Sequence, residues 1–428
     1  MRFFSRPRKP VTAARTVLRL ESMEDRSLLS APVAQPLGGT PGAALVGSTR
    51  PVNSVAPLPA APIPSFALPP AAEIPPVRFA PLDSPSFAAA PTTPRGRGAA
   101  TEVRGATFFT GTGLSGEFVN RLRDEGANSL RWQLLPFGDA LKRNDEAYFQ
   151  SLRTYDGYMT WVREQIAELK NQLPRLHQAG VRVIINVHVA PMMDPRDWGR
   201  PGQQAAMNNL FAKGPVGDAA RRAFYDAWKA ISDAFKTDGR VAGYDLLNEP
   251  RMPAGGNLAI DYNGLMAEAA KRIRRNGDDK RLVVESLRGD PTLLSRLATI
   301  KDASGRNDPN VEYSFHLYYT TPDGRVNHDP SGVARVLRGV REWQGEQSRR
   351  GRVNIYIGEL GTGITDERRA DFDDKKLAAP RQFLKQVLNF ARDNGWDWAY
   401  FEFHSDVRFP TTSELTFIRE AYRGRAIK

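Results

Sequence analysis

The sequence predicts an α/β fold: a (β/α)8 TIM barrel preceded by a disordered Pro/Ala-rich segment. Three observations predict it. From residue 101 onward, short β-rich runs alternate with helix-period stretches. Several runs are apolar at nearly every position, as in Val181-Arg182-Val183-Ile184-Ile185-Asn186-Val187, which suits strands buried on both faces of a parallel sheet. Polar residues stand directly after these runs, where barrels of this kind place their chemistry.

The runs, in order, are Ala106–Thr110, Asn128–Gln133, Val181–Val187, Val241–Leu247, Leu282–Glu285, Val311–Phe315, Val353–Ile357 and Trp398–Phe403. Between them, Tyr158–Gln178 carries Trp161, Val162, Ile166, Leu169, Leu173 and Leu176 on one helical stripe. Ala220–Phe235 and Arg381–Asp393 follow the same period, the latter stopped by Asn394-Gly395. Gly126, Gly180 and Gly243 are expected just before strands, where the turn from helix to strand needs a permissive residue. Eight strands and about eight helices over the last 330 residues give about 41 residues per unit, as a closed barrel requires. An open doubly wound sheet is the competing fold. Gly111-Thr112-Gly113 is only a fragment of the Gly-x-Gly-x-x-Gly fingerprint and reads as a loop after the first strand.

Ahead of the barrel lie two segments of different composition. Residues 1–30 form a basic leader with seven Lys/Arg against three acids. Residues 31–98 hold 16 of the 32 prolines, mixed with Ala, Gly and Ser. Proline removes backbone donors and restricts the residue before it, so this segment is expected to be a disordered, extended linker. The remaining 99–428 is expected to form the barrel domain. The net charge of +12 invites a nucleic-acid reading, but half of it belongs to the first 98 residues. The barrel keeps +6, with both signs interspersed and no run of five like charges, so no nucleic-acid partner is expected. No run of 18 apolar residues occurs, so no membrane span is expected. With no cysteine in the chain, disulfides, thiolate metal sites and a thiol nucleophile are excluded. Five histidines, none in a ligand-spaced cluster, imply no metal, and no cofactor is expected.

The residues at the strand ends carry the chemistry. Strand 2 carries Arg131, strand 3 ends in His188, and strand 4 ends in Asn248-Glu249-Pro250. Strand 6 ends in His316 and Tyr318, and strand 7 in Gly358-Glu359-Leu360-Gly361. Any one of these has a bland explanation: His188 as a structural histidine, Arg131 as a core-edge partner, Glu249 as a helix-start acid. On five strands of one barrel they converge on one cleft. Glu249 and Glu359 lie 110 residues apart, about three barrel units, and so face each other across the mouth. Two facing carboxyls suit glycoside hydrolysis, one protonating the leaving oxygen while the other attacks the anomeric carbon or activates water. Arg131, His316 and Tyr318 are expected to donate to the nucleophilic carboxylate and keep it ionised, and Asn248 to hydrogen-bond a sugar 2-hydroxyl.

On these residues the chain resembles glycoside hydrolase family 5, the cellulase family of clan A, over about residues 101–425. Asn248-Glu249-Pro250 is similar to its Asn-Glu-Pro signature, which implies Glu249 as acid/base. Ile357-Gly358-Glu359-Leu360-Gly361 is similar to its Gly-Glu-Phe-Gly motif, which implies Glu359 as nucleophile. Arg131, His188 and the His316/Tyr318 pair match the family's residues on strands 2, 3 and 6. The resemblance implies a retaining double displacement by two glutamates on a β-linked polysaccharide, an endo-β-1,4-glucanase or mannanase. One position departs: where the family ends strand 8 with a sugar-stacking tryptophan, this chain has Phe401, a smaller face. Trp398, three positions earlier, points to the opposite face. Trp198 and Tyr319 are candidate outer sugar platforms.

Leu18–Ser30 resembles the short LEPR-XLL-type motif found at the N-terminus of large extracellular bacterial proteins, which implies a secreted or cell-surface location. A monomer acting on a polysaccharide or oligosaccharide is expected. The rival function is a catalytically idle carbohydrate-binding barrel at the cell surface.

Overall fold

The structure is a computed structural model of the chain and describes residues 102–110, 113–143, 145–197, 201–253, 255–319, 330–362, 378–401 and 412–427. The leader, the proline-rich linker, Trp198 and most of the Gly111-Thr112-Gly113 fragment lie outside the described residues.

Eight parallel strands close into a barrel in chain order, with β8 returning to pair with β1. They are β1 (Arg104–Phe109), β2 (Ser129–Leu134), β3 (Arg182–Val187), β4 (Val241–Asp245), β5 (Arg281–Glu285), β6 (Val311–Tyr318), β7 (Asn354–Gly361) and β8 (Asp397–Tyr400). Among the described residues the α-helices are α1 (Gly116–Glu125), α2 (Pro136–Arg143), α3 (Glu146–Leu152), α4 (Tyr155–Gln178), α5 (Pro201–Phe211), α6 (Pro215–Phe235), α7 (Asn263–Arg275), α8 (Pro330–Gln347), α9 (Ala378–Asn394) and α10 (Thr412–Tyr422).

Local chemistry sets the boundaries. Ser115 starts α1 by accepting from the Phe118 N–H, and Gly126 ends it at φ 92°, donating back to Leu122 and Arg123. This is the left-handed cap that glycine adopts without a side-chain clash. Thr154 starts α4 by accepting from the Gly157 N–H. The expected alternation fails once. Among the described residues between β5 and β6 only short 3-10 turns form, Leu287–Gly289 and Pro291–Arg296. Asp290 precedes a proline and is pushed out of the helical region, to ψ 116°, which breaks the segment in two.

Two layers of packing follow from strand alternation. Outward-facing side chains such as Leu130, Trp132, Ile185, Tyr313 and Phe315 join the helices in the main core. Inward-facing Ile184, Val283, Tyr356 and Ala399, with Val103, form a separate apolar plug. At the N-terminal ends of the strands, Arg281 donates to Asp397 at 2.6 Å and lies 3.2 Å from Glu312. At the C-terminal ends, the inward positions become polar.

Gly243 corrects an expectation. It lies inside β4, not before a strand. A Cβ there would come 2.7 Å from the Arg281 carbonyl, so the approach of β4 to β5 requires its absence. The β3–β4 register skips Ala242, Val183 pairing with Val241 and Ile184 with Gly243. This bulge turns Asp245 into the barrel.

Candidate active site

Arg131, inward on β2 and wholly buried, is the hub of the barrel mouth. Its Nε donates to Asp245 at 2.7 Å and its Nη1 to Glu359 at 2.7 Å. Its Nη2 donates to Asn248 at 2.8 Å and to Glu285 at 2.6 Å. The planar fork reaches three carboxylates on three strands because it carries donors on every side. Burial works against its charge, but Asp245, Glu285 and Glu359 outweigh burial and hold its proton more tightly than usual.

Glu359, on β7, accepts from Arg131, from Gln133 Nε2 at 2.9 Å and from the Tyr318 hydroxyl. Glu249, just past β4, is more open, its side chain 18% exposed against 6% for Glu359. A carboxylate oxygen of Glu249, one of Glu359 and a ring nitrogen of His316 all lie within 4.8 Å of one another. His316 reaches both carboxyls, Glu359 as expected and Glu249 besides. Its Nδ1 lies 3.1 Å from Glu249 and 3.4 Å from Glu359, so it sits nearer the first carboxyl than the second. The β6–β7 register shift at Phe315/His316 pairs His316 with Glu359 and leaves Gly358 out of the pairing. A Cβ on Gly358 would lie 3.1 Å from His316 Nε2. Burial disfavours the imidazolium, but Glu359 and Glu285 outweigh burial and push its pKa well above the usual histidine range. A ring that keeps both protons donates to carboxylates and is a poor metal ligand, although this trio has the donor spacing for a cation.

Residues 96–406 match the cellulase family, glycosyl hydrolase family 5. The chain belongs to this family. It is similar to the probable glucan 1,3-beta-glucosidase A of Aspergillus fumigatus, at 28% identity over 269 residues. That match covers 55% of this chain and 60% of the relative, so the chain spans less than two thirds of that protein's length. The probable glucan 1,3-beta-glucosidase A of Neosartorya fischeri is 23% identical over 330 residues, 68% of this chain and 69% of that protein. Among solved structures, the Pseudomonas stutzeri endoglucanase Cel5A superposes with a TM-score of 0.50 at 20% identity, covering 72% of this chain and 85% of that one. XacCel5A in complex with cellopentaose gives a TM-score of 0.50 at 16% identity, covering 75% and 99%. These structural likenesses speak for the barrel fold.

Within this family 5 barrel, the remaining expected residues fall in two groups. Asn248 joins the hub through its side-chain oxygen. His188 is buried just past β3, its Nδ1 3.0 Å from Asn186 Oδ1, and meets Phe109 edge-on at 5.3 Å. Phe401, half-buried just past β8, meets Phe109 at 5.8 Å and Tyr318 at 5.7 Å, both edge-on. The ring thus touches the tyrosine that donates to Glu359. Trp398 points outward, stacked on Tyr422 at 4.9 Å. Tyr319, half-buried, packs on Phe383 of α9 and against the main core, one position past the inward Tyr318.

Sequence reasoning passed over three residues of the site: Gln133, Asp245 and Glu285. Glu285 carried the same signal as the others, a polar residue ending an apolar run. Gln133 lies two positions after Arg131 and shares its face. Asp245 and Glu285 are both fully buried. Burial and the neighbouring Glu285 push the Asp245 carboxyl up to about 8, against the pull of Arg131. Burial acts the same way on Glu285, but His316 and Arg131 hold its carboxyl below the usual range. Of the two, Glu285 is the one that carries the charge.

Proposed function

We propose that the chain is a retaining glycoside hydrolase acting on a β-glucan, with Glu359 as nucleophile and Glu249 as acid/base. The observation that carries this reading is the approach of the two carboxylates, whose nearest oxygens lie within 4.8 Å across the mouth. Retaining enzymes separate their carboxyls by about 5–5.5 Å, while inverting ones leave about 6.5–9.5 Å for a water. The activities that the relatives are named for, glucan 1,3-beta-glucosidase and endoglucanase, support a β-glucan as the substrate class.

In the first step a Glu359 oxygen bonds to the anomeric carbon. The glycosidic C–O bond breaks, and its electron pair leaves with the oxygen, which takes the Glu249 proton. In the second step Glu249 takes a proton from water, the water oxygen bonds to the same carbon, and Glu359 is released. Arg131, Gln133 and Tyr318 fix the attacking carboxylate in place. Asn248, with its oxygen held by Arg131, has its NH2 to offer a sugar hydroxyl. Phe401 and Phe109 provide apolar ring surface beside these groups.

The test is an assay of the full chain on β-1,4-glucan, β-1,3-glucan and β-mannan, beside Glu249→Gln and Glu359→Gln. The wild type should cleave a glucan and release its first product with the anomeric configuration retained. Each variant should lose at least about 100-fold in kcat, the low end of what a positioned acid, base or nucleophile contributes. If the wild type cleaves nothing, the sugar-binding barrel becomes the better reading. If the first product is inverted, the nucleophile assignment fails.

A further inference from the structure

We propose that Glu285 is a positioning residue for the acid/base carboxyl of Glu249, a role that rests on the assignment of Glu249 made above. Three contacts carry it. Glu285 Oε2 accepts from the main-chain N–H of Glu249 at 2.8 Å. The same oxygen lies 3.3 Å from His316 Nε2, while His316 Nδ1 lies 3.1 Å from Glu249 Oε1. Its other oxygen, Oε1, accepts from Arg131 at 2.6 Å. Glu285 therefore acts on Glu249 at both ends, on the backbone by a hydrogen bond and on the carboxyl through an ion pair with the imidazole, and ties both to the arginine that holds Glu359.

The backbone grip has a task. Glu249 adopts φ +39°, in the left-handed region that a residue with a Cβ rarely occupies. Such a conformation persists only where its surroundings over-determine it. A buried carboxylate on the N–H supplies that constraint, because a charge-assisted hydrogen bond is stronger than a neutral one. Glu285 is itself anchored, since the Tyr262 hydroxyl donates to its carbonyl at 2.6 Å. Nothing in this arrangement brings Glu285 to the sugar: its side chain is wholly buried. It acts through Glu249 and His316.

Glu285→Gln tests the role. The amide keeps the shape but retains a single acceptor oxygen, and its NH2 must face one of three donors. The readout is a pair of substrates that differ in their need for a proton: phenyl and 2,4-dinitrophenyl β-cellobioside, or the β-laminaribiosides if the wild type prefers that linkage. A dinitrophenolate leaves unprotonated, so its kcat/KM does not register the acid. We expect kcat/KM on the phenyl substrate to fall by about 10- to 100-fold, as a misplaced catalytic group gives. On the dinitrophenyl substrate it should fall by less than about threefold. Equal losses on both, or none on either, overturn the proposal. Glu249→Gln in the same assay separates the two readings. If it shows no difference between the substrates, the acid/base assignment fails. If it does and Glu285→Gln does not, only the positioning role fails. Amide hydrogen exchange on the wild type needs no variant. The Glu249 amide should exchange far more slowly than a free peptide, and exchange at the free rate overturns the proposal.

Discussion

At the scale of a single residue, Arg131 shows how much one side chain can hold. Its guanidinium binds Asp245, Glu285 and Glu359, all at 2.6 to 2.7 Å and out of water. Removing one partner of a buried ion pair leaves charge without compensation, at a cost of about 3–5 kcal/mol. Arg131→Met should therefore destabilise the barrel by at least about 3 kcal/mol in urea unfolding. Arg131→Lys should fall between Met and wild type, because a lysine restores the charge but not the fork. A Met variant within about 1 kcal/mol of wild type would mean the three carboxylates find other partners. The arginine was legible in the sequence as the polar residue of a buried strand. Its grip on Asp245 was not. The facing of Asp245 depends on the bulge at Ala242, and a skipped residue leaves no mark in an apolar pattern. Glu285 was visible as the end of the fifth run, but no motif follows it, and turns rather than a helix come next.

At the scale of the element, strand order and approximate bounds could be read from periodicity, and the misses came where strands stop being regular. The sixth and seventh runs extend further than expected, to Tyr318 and Gly361, because polar residues at their ends still pair across the ladder. Apolar runs mark the buried length of a strand, not its hydrogen-bonded length. Gly361 shows what the extension demands. A Cβ on it would lie 2.2 Å from the Phe401 carbonyl, which is main chain and cannot rotate aside. Gly361→Ala should force β7 and the residue after β8 apart, shifting Phe401 against Tyr318. We expect a stability loss of about 1–3 kcal/mol, typical of overpacking, together with a raised KM. Gly264→Ala on α7 is the matched control: a Cβ there meets nothing within 4 Å. It should be neutral or stabilising by up to about 1 kcal/mol in the same thermal melt. Equal behaviour of the two variants would show that the close strand approach does not constrain the site.

At the scale of the whole molecule, the barrel buries acid at both ends, and this sets how its stability depends on pH. At the catalytic end, burial and Glu285 push Asp245 up to about 8. At the other end, burial and the neighbouring Asp397 push Glu312 well above the usual glutamate range, against the pull of Arg281. Both groups hold protons in the folded barrel that the unfolded chain releases near pH 4. Stability falls with rising pH wherever the folded state binds more protons. Their contribution is thus fully present below about pH 4 and is lost as pH rises through the folded values, through about 8 for Asp245. His316, with its raised pKa, acts in the same direction. The groups facing Asp245 are Arg131 from β2, Glu285 from β5, Tyr356 from β7 and Tyr262. Of these only Arg131 favours its ionisation, and that guanidinium is shared with two other carboxylates. The melting temperature should therefore decline from mildly acidic pH to about pH 9. Asp245→Asn, which fixes the neutral shape, should flatten the part of the decline that runs from about pH 4 up to about 8. A profile that rises over this range, or an unchanged slope in the variant, would place the charge on Asp245 instead and make the hub a fully ionised cluster.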